Sequence, residues 1–180
     1  HSTYDVILVG GGVMGCATAY HLLRFDDRLR VALIEMDSTY TRASTTLSDG
    51  NIRVQFNIKE NIQMSLYGLE VLAHFAEEFT VDGEPPDPGF RQQGNLFIID
   101  EASHDETRAG LALQQSLGGR VEWLTPAQVQ ATYPLYENLE GCIGGTLGRQ
   151  DGTMSPLAVL QAYRKKAVAL GAQVIQARVA

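Results

Sequence analysis

The 180-residue sequence predicts an α/β fold that opens with a parallel βαβ unit, and three observations carry that expectation. The run Val6-Ile7-Leu8-Val9 is short, apolar and mostly β-branched, as a strand buried on both faces requires. The glycine cluster Gly10-Gly11-Gly12-Val13-Met14-Gly15 follows at once and passes into apolar residues at helical spacing. A second buried strand, Val31-Ala32-Leu33-Ile34, then ends on Glu35. Strand, tight turn, helix and strand in about 35 residues form a crossover, so the two strands run parallel.

The first helix is expected from Val13 to about Arg24, with Ala17, Tyr20 and Leu23 on its inner face. Residues 37–58 show no regular period and read as a long loop, a feature that in compact domains is usually functional. A helix from Glu60 to Phe79 is marked by Ile62, Leu66, Leu69, Leu72, Phe75, Ala76 and Phe79. Gly83-Glu84-Pro85-Pro86-Asp87-Pro88-Gly89 breaks all periodicity and marks a domain boundary. Beyond it, a strand is expected at 95–99, a helix at 104–117 and a strand at 120–124. Thr125-Pro126 and Ser155-Pro156 each pair a cap residue with a proline suited to the first helical position. Between these two helix starts a third strand is expected at 142–147, and after Gly171 a final one runs from Gln173 to Val179.

Composition narrows the function classes. Fourteen Lys and Arg against 21 Asp and Glu give a net charge of −7, which argues against a nucleic-acid partner, since phosphate neutralisation needs clustered cations. No apolar run reaches the ~18 residues of a membrane span, and no signal-peptide pattern precedes the first strand. A chain that opens on His1 and Ser2 rather than Met looks like the cut edge of something longer. Cys16 and Cys142 lie far apart and read as small buried hydrophobes in a reducing, cytoplasmic setting. The four histidines show no metal-ligand spacing, so no metal is expected.

Gly10, Gly12 and Gly15 fit G-x-G-x-x-G in the context that gives the pattern meaning, after a strand and opening a helix. The first glycine permits the tight turn, the second lets backbone approach a pyrophosphate, and the third brings helix and strand close. The helix N-terminus then offers unpaired N–H groups and the positive end of its dipole. Glu35, at the end of the second strand, can accept from both hydroxyls of an adenosine ribose and repels a 2′-phosphate. These features point to NAD or FAD. Regular βα alternation after Glu35 would favour an NAD-linked dehydrogenase, whereas the hydroxyl-rich segment 42–53 offers hydroxyls and exposed N–H groups for a second phosphate and ribitol.

The glycine turn, the strand-end glutamate and Ala43-Ser44 through Ser48, Gly50 and Ile52-Arg53 resemble the FAD-dependent family of D-amino-acid oxidase, sarcosine oxidase and glycine oxidase. Asp151-Gly152 with Pro156 is similar to that family's D-G-x-x-x-P segment. A narrower likeness, through Tyr40-Thr41-Arg42-Ala43-Ser44-Thr45, Gln55-Phe56 and Glu60-Asn61-Ile62-Gln63, is to the branch of FAD-dependent oxidoreductase-domain proteins associated with mitochondrial complex I assembly, and its bacterial relatives.

The resemblance covers the amino-terminal half of such a protein. It implies an FAD-binding Rossmann-like domain of glutathione-reductase type at 1–84 and 150–180, with an inserted mixed-sheet α+β substrate domain begun at 85–149 and the carboxyl-terminal half missing. It further implies that Gly10, Gly12 and Gly15 surround the pyrophosphate of FAD, and that Glu35 holds the ribose. Ser44 and Thr45 would face the phosphates, with Ser48 and Gly50 near the ribitol and Arg53 on the flavin side. Val179 would meet the adenine through its backbone. Asp49, Asn51 and Met36 depart from the residues relatives often carry there.

The implied reaction moves a hydride from the C–H of a small amine or amino acid to flavin N5, with oxygen or another acceptor taking the electrons. Arg91 or Arg149 are candidates for a substrate carboxylate, and Tyr133 and Tyr136 for a pocket wall, although a surface or packing role suits each better. The catalytic residues are expected in the missing half or in a partner chain, leaving the 180 residues alone inactive. A scaffold or assembly protein that keeps FAD for structure is the alternative from a different class.

Overall fold

The computed structural model describes residues 3–179; the suspected cut edge at His1 and Ser2, and Ala180, lie outside the described residues. In chain order the elements are β1 (Val6–Val9), α1 (Val13–Phe25), β2 (Val31–Glu35), β3 (Asn51–Ile52), α2 (Lys59–Ala73) and α3 (Phe75–Phe79). There follow β4 (Asn95–Asp100), α4 (His104–Ser116), β5 (Val121–Leu124), α5 (Pro126–Thr132), β6 (Cys142–Gly148), β7 (Gly152–Thr153), α6 (Pro156–Ala169) and β8 (Gln173–Gln176). They pack as two compact units: one of the residues up to Gly50, 74–89 and from Ser155 on, the other of 51–73 and 90–154.

In the first unit β1, β2 and β8 form a parallel sheet with β2 in the middle. Val6 lies opposite Val31, and Leu33 opposite Val174. Val31, Ala32 and Leu33 are buried, as expected of a continuous apolar strand covered on both faces. Helices α1 and α6 pack together and enclose an aromatic cluster of Tyr20, Phe75, Phe79 and Tyr163, with the Phe79 and Tyr163 ring centroids 4.4 Å apart. The Tyr20 hydroxyl donates to Glu78 Oε1 at 2.5 Å and accepts from Arg24 at 2.9 Å, so this polar tip in the cluster is satisfied.

In the second unit β4, β6 and β5 form an antiparallel sheet with β6 central and a register shift at Ile99/Asp100. One face carries a cluster of Leu124, Val129 and Leu147, with Leu96 and Tyr133 packed against it. The helix α5 that supplies Val129 starts with a capping box between Thr125 and Gln128, as its Thr-Pro signature required.

Three expectations change. The helix expected over 60–79 breaks at His74, where φ is −112° and ψ 15°, and the break turns Phe75 and Phe79 into the aromatic cluster. The loop expected over 37–58 contains β3, which pairs antiparallel with β7 through Asn51–Thr153 and Ile52–Gly152. That pairing ties the chain from Asn51 onward to second-unit residues, so 51–73 and 150–154 group there rather than with the glycine turn. The last strand ends at Gln176, three residues short of Val179.

Candidate functional site

The glycine turn sits where β1 meets α1. The Gly10 N–H donates to the Ile34 carbonyl at 2.8 Å, and its φ of +100° is a value side-chain-bearing residues rarely adopt. At Gly15 a Cβ would overlap the Gly10 carbonyl oxygen, so helix and turn can approach this closely only with glycine. A Cβ on Gly12 would stand 3.4 Å from Thr45 Oγ1, and no side chain caps α1 there. Instead the Thr45 hydroxyl, from the loop after β2, accepts from the Val13 N–H at 3.1 Å.

Glu35 faces the same turn. One carboxylate oxygen accepts from the Gly11 N–H at 2.6 Å and the other from the Asp37 N–H at 2.8 Å. An ionised carboxylate offers about four lone-pair sites, so two remain for a pair of ribose hydroxyls. Gly11, the residue that G-x-G-x-x-G leaves open, is a glycine for its own reason: a Cβ would lie 2.9 Å from that of Glu35. A cleft of about 510 Å³ opens here, lined by Gly10, Gly12, Gly15, Glu35, Ser44 and Thr45 among others. The turn, the open helix end and the part-filled carboxylate fit the adenosine diphosphate portion of FAD.

Two residues that the spacing did not single out also shape the cleft. Tyr40 is buried at a φ of 57°, unusual for a bulky side chain, and its hydroxyl is raised above the ordinary range mainly by burial. Asp37 accepts from the N–H and hydroxyl of Thr39 and from the Thr41 hydroxyl, which holds its carboxyl below the usual range. Cys16, beneath the turn, donates to the Gly11 carbonyl at 3.1 Å, and burial pushes its thiol up to about 11. A thiol so disfavoured as thiolate is packing rather than a nucleophile.

The remaining expected residues are spread out. Ser48 accepts from the Gly50 N–H at 3.2 Å within the same loop, and neither lines the cleft. Arg53 lies in the second unit, its guanidinium 4.9 Å from the Phe56 ring centroid and 5.3 Å from that of Phe97. Val179 lies beyond β8, half exposed, and so is not the strand residue expected; the edge beside Glu35 is extended only by Ala177, whose N–H donates to the Glu35 carbonyl at 3.0 Å. Arg149 is paired with Glu122, Arg91 is an exposed residue bridged through its backbone to Thr153, and Tyr133 packs on the α5 cluster. Cys142 is half-buried. No helix among the described residues is long and apolar enough to cross a membrane.

Asp151 is the fully buried carboxylate of the second unit. It accepts from the Val54 N–H at 3.0 Å and from Gln55 Nε2 at 3.1 Å, yet desolvation still raises it above the ordinary range. Its work is to pin the segment that carries Arg53 and Gln55 against the β6–β7 turn.

Residues 5–180 match the family model described as FAD dependent oxidoreductase. The chain is 36% identical over 180 residues to the bovine (Bos taurus) FAD-dependent oxidoreductase domain-containing protein 1, covering 97% of this chain and 37% of that protein. It is 31% identical over 179 residues to mitochondrial sarcosine dehydrogenase of Mus musculus, covering 97% of this chain and 18% of that one. Among solved structures it resembles L-proline dehydrogenase from P. horikoshii, with a TM-score of 0.81 at 23% identity over 97% of this chain and 44% of that one. Glycine oxidase from Geobacillus kaustophilus gives 0.77 at 24% identity over 96% and 46%. The chain spans about a third of the length of the FAD-dependent oxidoreductase domain-containing proteins it matches. An FAD-dependent family sets aside the NAD-linked dehydrogenase that the glycine turn alone left open. With that turn, its glutamate partner and a match over residues 5–180, the chain belongs to the FAD dependent oxidoreductase family.

Proposed function

We propose that the chain is the cofactor-holding part of an oxidoreductase that acts on a small amine or amino acid. The first unit holds FAD, and the second begins the substrate domain. The observation that carries this reading is the Glu35 carboxylate, fixed by the Gly11 and Asp37 N–H groups beside an open helix end and with two lone pairs to spare. When bound, FAD would supply the acceptor for a hydride leaving the substrate carbon next to nitrogen.

The chain's own residues bind and orient. Gly10, Gly12 and Gly15 let backbone close on the pyrophosphate, Glu35 accepts from the ribose, and Ser44 and Thr45 donate to phosphate oxygens. Ser48 and Gly50 serve the ribitol, Arg53 the flavin side, and the backbone near Val179 the adenine. The names of the relatives, sarcosine and L-proline dehydrogenases and glycine oxidase, support a substrate with a nitrogen beside the oxidised carbon.

The test is an amine and amino-acid screen on the purified full-length protein, read by its flavin absorbance. Bleaching by one or a few of these compounds is the expected result. Bound flavin indifferent to all of them would favour a structural FAD, and a protein that takes up no flavin would overturn both readings.

A further inference from the structure

Tyr40 sits in the loop after β2, among the residues that line the cleft at the glycine turn. Its backbone is in the left-handed region, with φ at 57°, yet its bulky side chain is only 5% exposed. Glycine or asparagine would meet that conformation with less strain, so the local backbone does not select tyrosine. A bulky residue persists there only where the contacts around it fix it, and such residues gather at ligand clamps. The reason for tyrosine lies in what its ring touches and what its backbone holds.

The ring is anchored at its polar end. Its hydroxyl, raised mainly by burial, is drawn back by a hydrogen bond to Arg164 of α6. Cys16, which donates to the Gly11 carbonyl, lies within electrostatic reach of the same hydroxyl. The Arg164 Nε is buried with no hydrogen-bond partner among the described residues, a cost that keeping the contact with Tyr40 explains.

The backbone of Tyr40 organises the loop. Its N–H donates to the Asp37 carbonyl at 3.0 Å, and its carbonyl accepts from the Ala43 N–H at 3.1 Å and from the Thr46 hydroxyl. The Leu47 N–H then donates to the Ala43 carbonyl at 3.1 Å, and the Ser48 N–H to the Thr45 carbonyl at 3.3 Å. Held between these bonds, the Thr45 hydroxyl accepts from the Val13 N–H at the open end of α1. Having accepted there, it still has its own proton to donate.

We propose that Tyr40 is a positioning residue for the FAD diphosphate: its buried side chain pegs a strained turn against Arg164 and so fixes Thr45 at the α1 N-terminus, its hydroxyl proton directed to a phosphate oxygen. Tyr40 acts through Thr45 and donates nothing to the ligand itself. The inference rests on the FAD reading above and adds what shapes the loop that meets the cofactor.

A double-mutant cycle on the full-length apoprotein tests this, with FAD affinity read by flavin fluorescence. Tyr40→Asn supplies a residue that enters the left-handed region more readily but removes the peg, so FAD should bind roughly tenfold or more weakly. Thr45→Val, which removes the donor, should weaken binding by roughly the same factor. The double variant should be little weaker than the weaker single one, because a peg that works through Thr45 then has nothing left to position. Losses that multiply overturn the proposal, since a general loosening of the fold would add to the loss of a hydroxyl. Tyr40→Phe keeps the ring and drops only the bond to Arg164. It should weaken FAD binding a few-fold by itself and have no effect once Thr45→Val is in place, and this second cycle decides should Tyr40→Asn not fold. Unchanged FAD affinity in the Tyr40 variants overturns the proposal and leaves the FAD reading standing. An unaltered apoprotein that takes up no flavin overturns both.

Discussion

Glu35 is the residue on which most of the cofactor reading turns, because it does two jobs with one carboxylate. It fixes the glycine turn through Gly11 and the start of the following loop through Asp37, and it keeps two lone pairs for a ligand. Glu35→Ala removes all four acceptor sites, so FAD affinity of the full-length protein should fall by about ten- to a hundredfold. Flavin fluorescence titration of the apoprotein reads this, and an unchanged Kd would remove Glu35 from the site. Gly10, Gly12, Gly15 and Glu35 were legible in the sequence because each answers a backbone or charge requirement that a residue type records. Gly11 was legible in type but not in role, since its partner lies 24 residues away. Tyr40 was marked only through the family likeness, and its conformation was not legible: an aromatic residue at positive φ carries no sequence signal.

At the scale of elements, the β1–β2 pair is clamped where both strands begin. The Asp5 N–H donates to the Arg30 carbonyl at 2.9 Å, and the Asp5 carboxylate accepts from the Arg30 N–H at 2.9 Å and from its guanidinium at 2.8 and 3.0 Å. These bonds hold the Asp5 carboxyl at about 2 instead of 3.8. A carboxyl lowered by folding contributes stability above its ordinary value and loses it as pH falls through the folded one. The stability difference between the unaltered chain and Asp5→Asn should therefore be present at neutral pH and close between 3.8 and about 2. Because both side chains are largely exposed, the difference should be small and shrink with added salt. Thermal melts across that pH range at low and high salt check this, and a gap that persists to the acid end would contradict it. The parallel pair itself was legible, since a four-residue apolar strand, a glycine turn and a helix leave no other topology. The break at His74 was not, because periodicity reports an apolar stripe without saying that its last turn serves a different core. Strands of two residues such as β3 and β7 fall below any detectable period.

At the scale of the whole molecule, the parallel sheet has an exposed apolar edge strand. Its order places β1 outermost among the described strands, although a doubly wound sheet of this kind sets its first strand in the interior. Ile7 is 56% exposed and Val9 67%, values foreign to an apolar strand of that kind. The α1 face above continues the apolar surface through Met14 and Phe25, at 78% and 91%. An apolar strand with unpaired backbone groups is a template for pairing with another chain. The 180-residue chain by itself should therefore self-associate with rising concentration. Val9→Lys should suppress the association, since a charged side chain blunts a strand edge. In the full-length protein the same substitution should destabilise by a few kcal/mol if further chain covers this strand, because it then buries an unpaired ammonium. Sedimentation velocity of the short chain and urea unfolding of the long one read the two effects. A short chain that stays monomeric, or a long one indifferent to Val9→Lys, would show that β1 is a true edge.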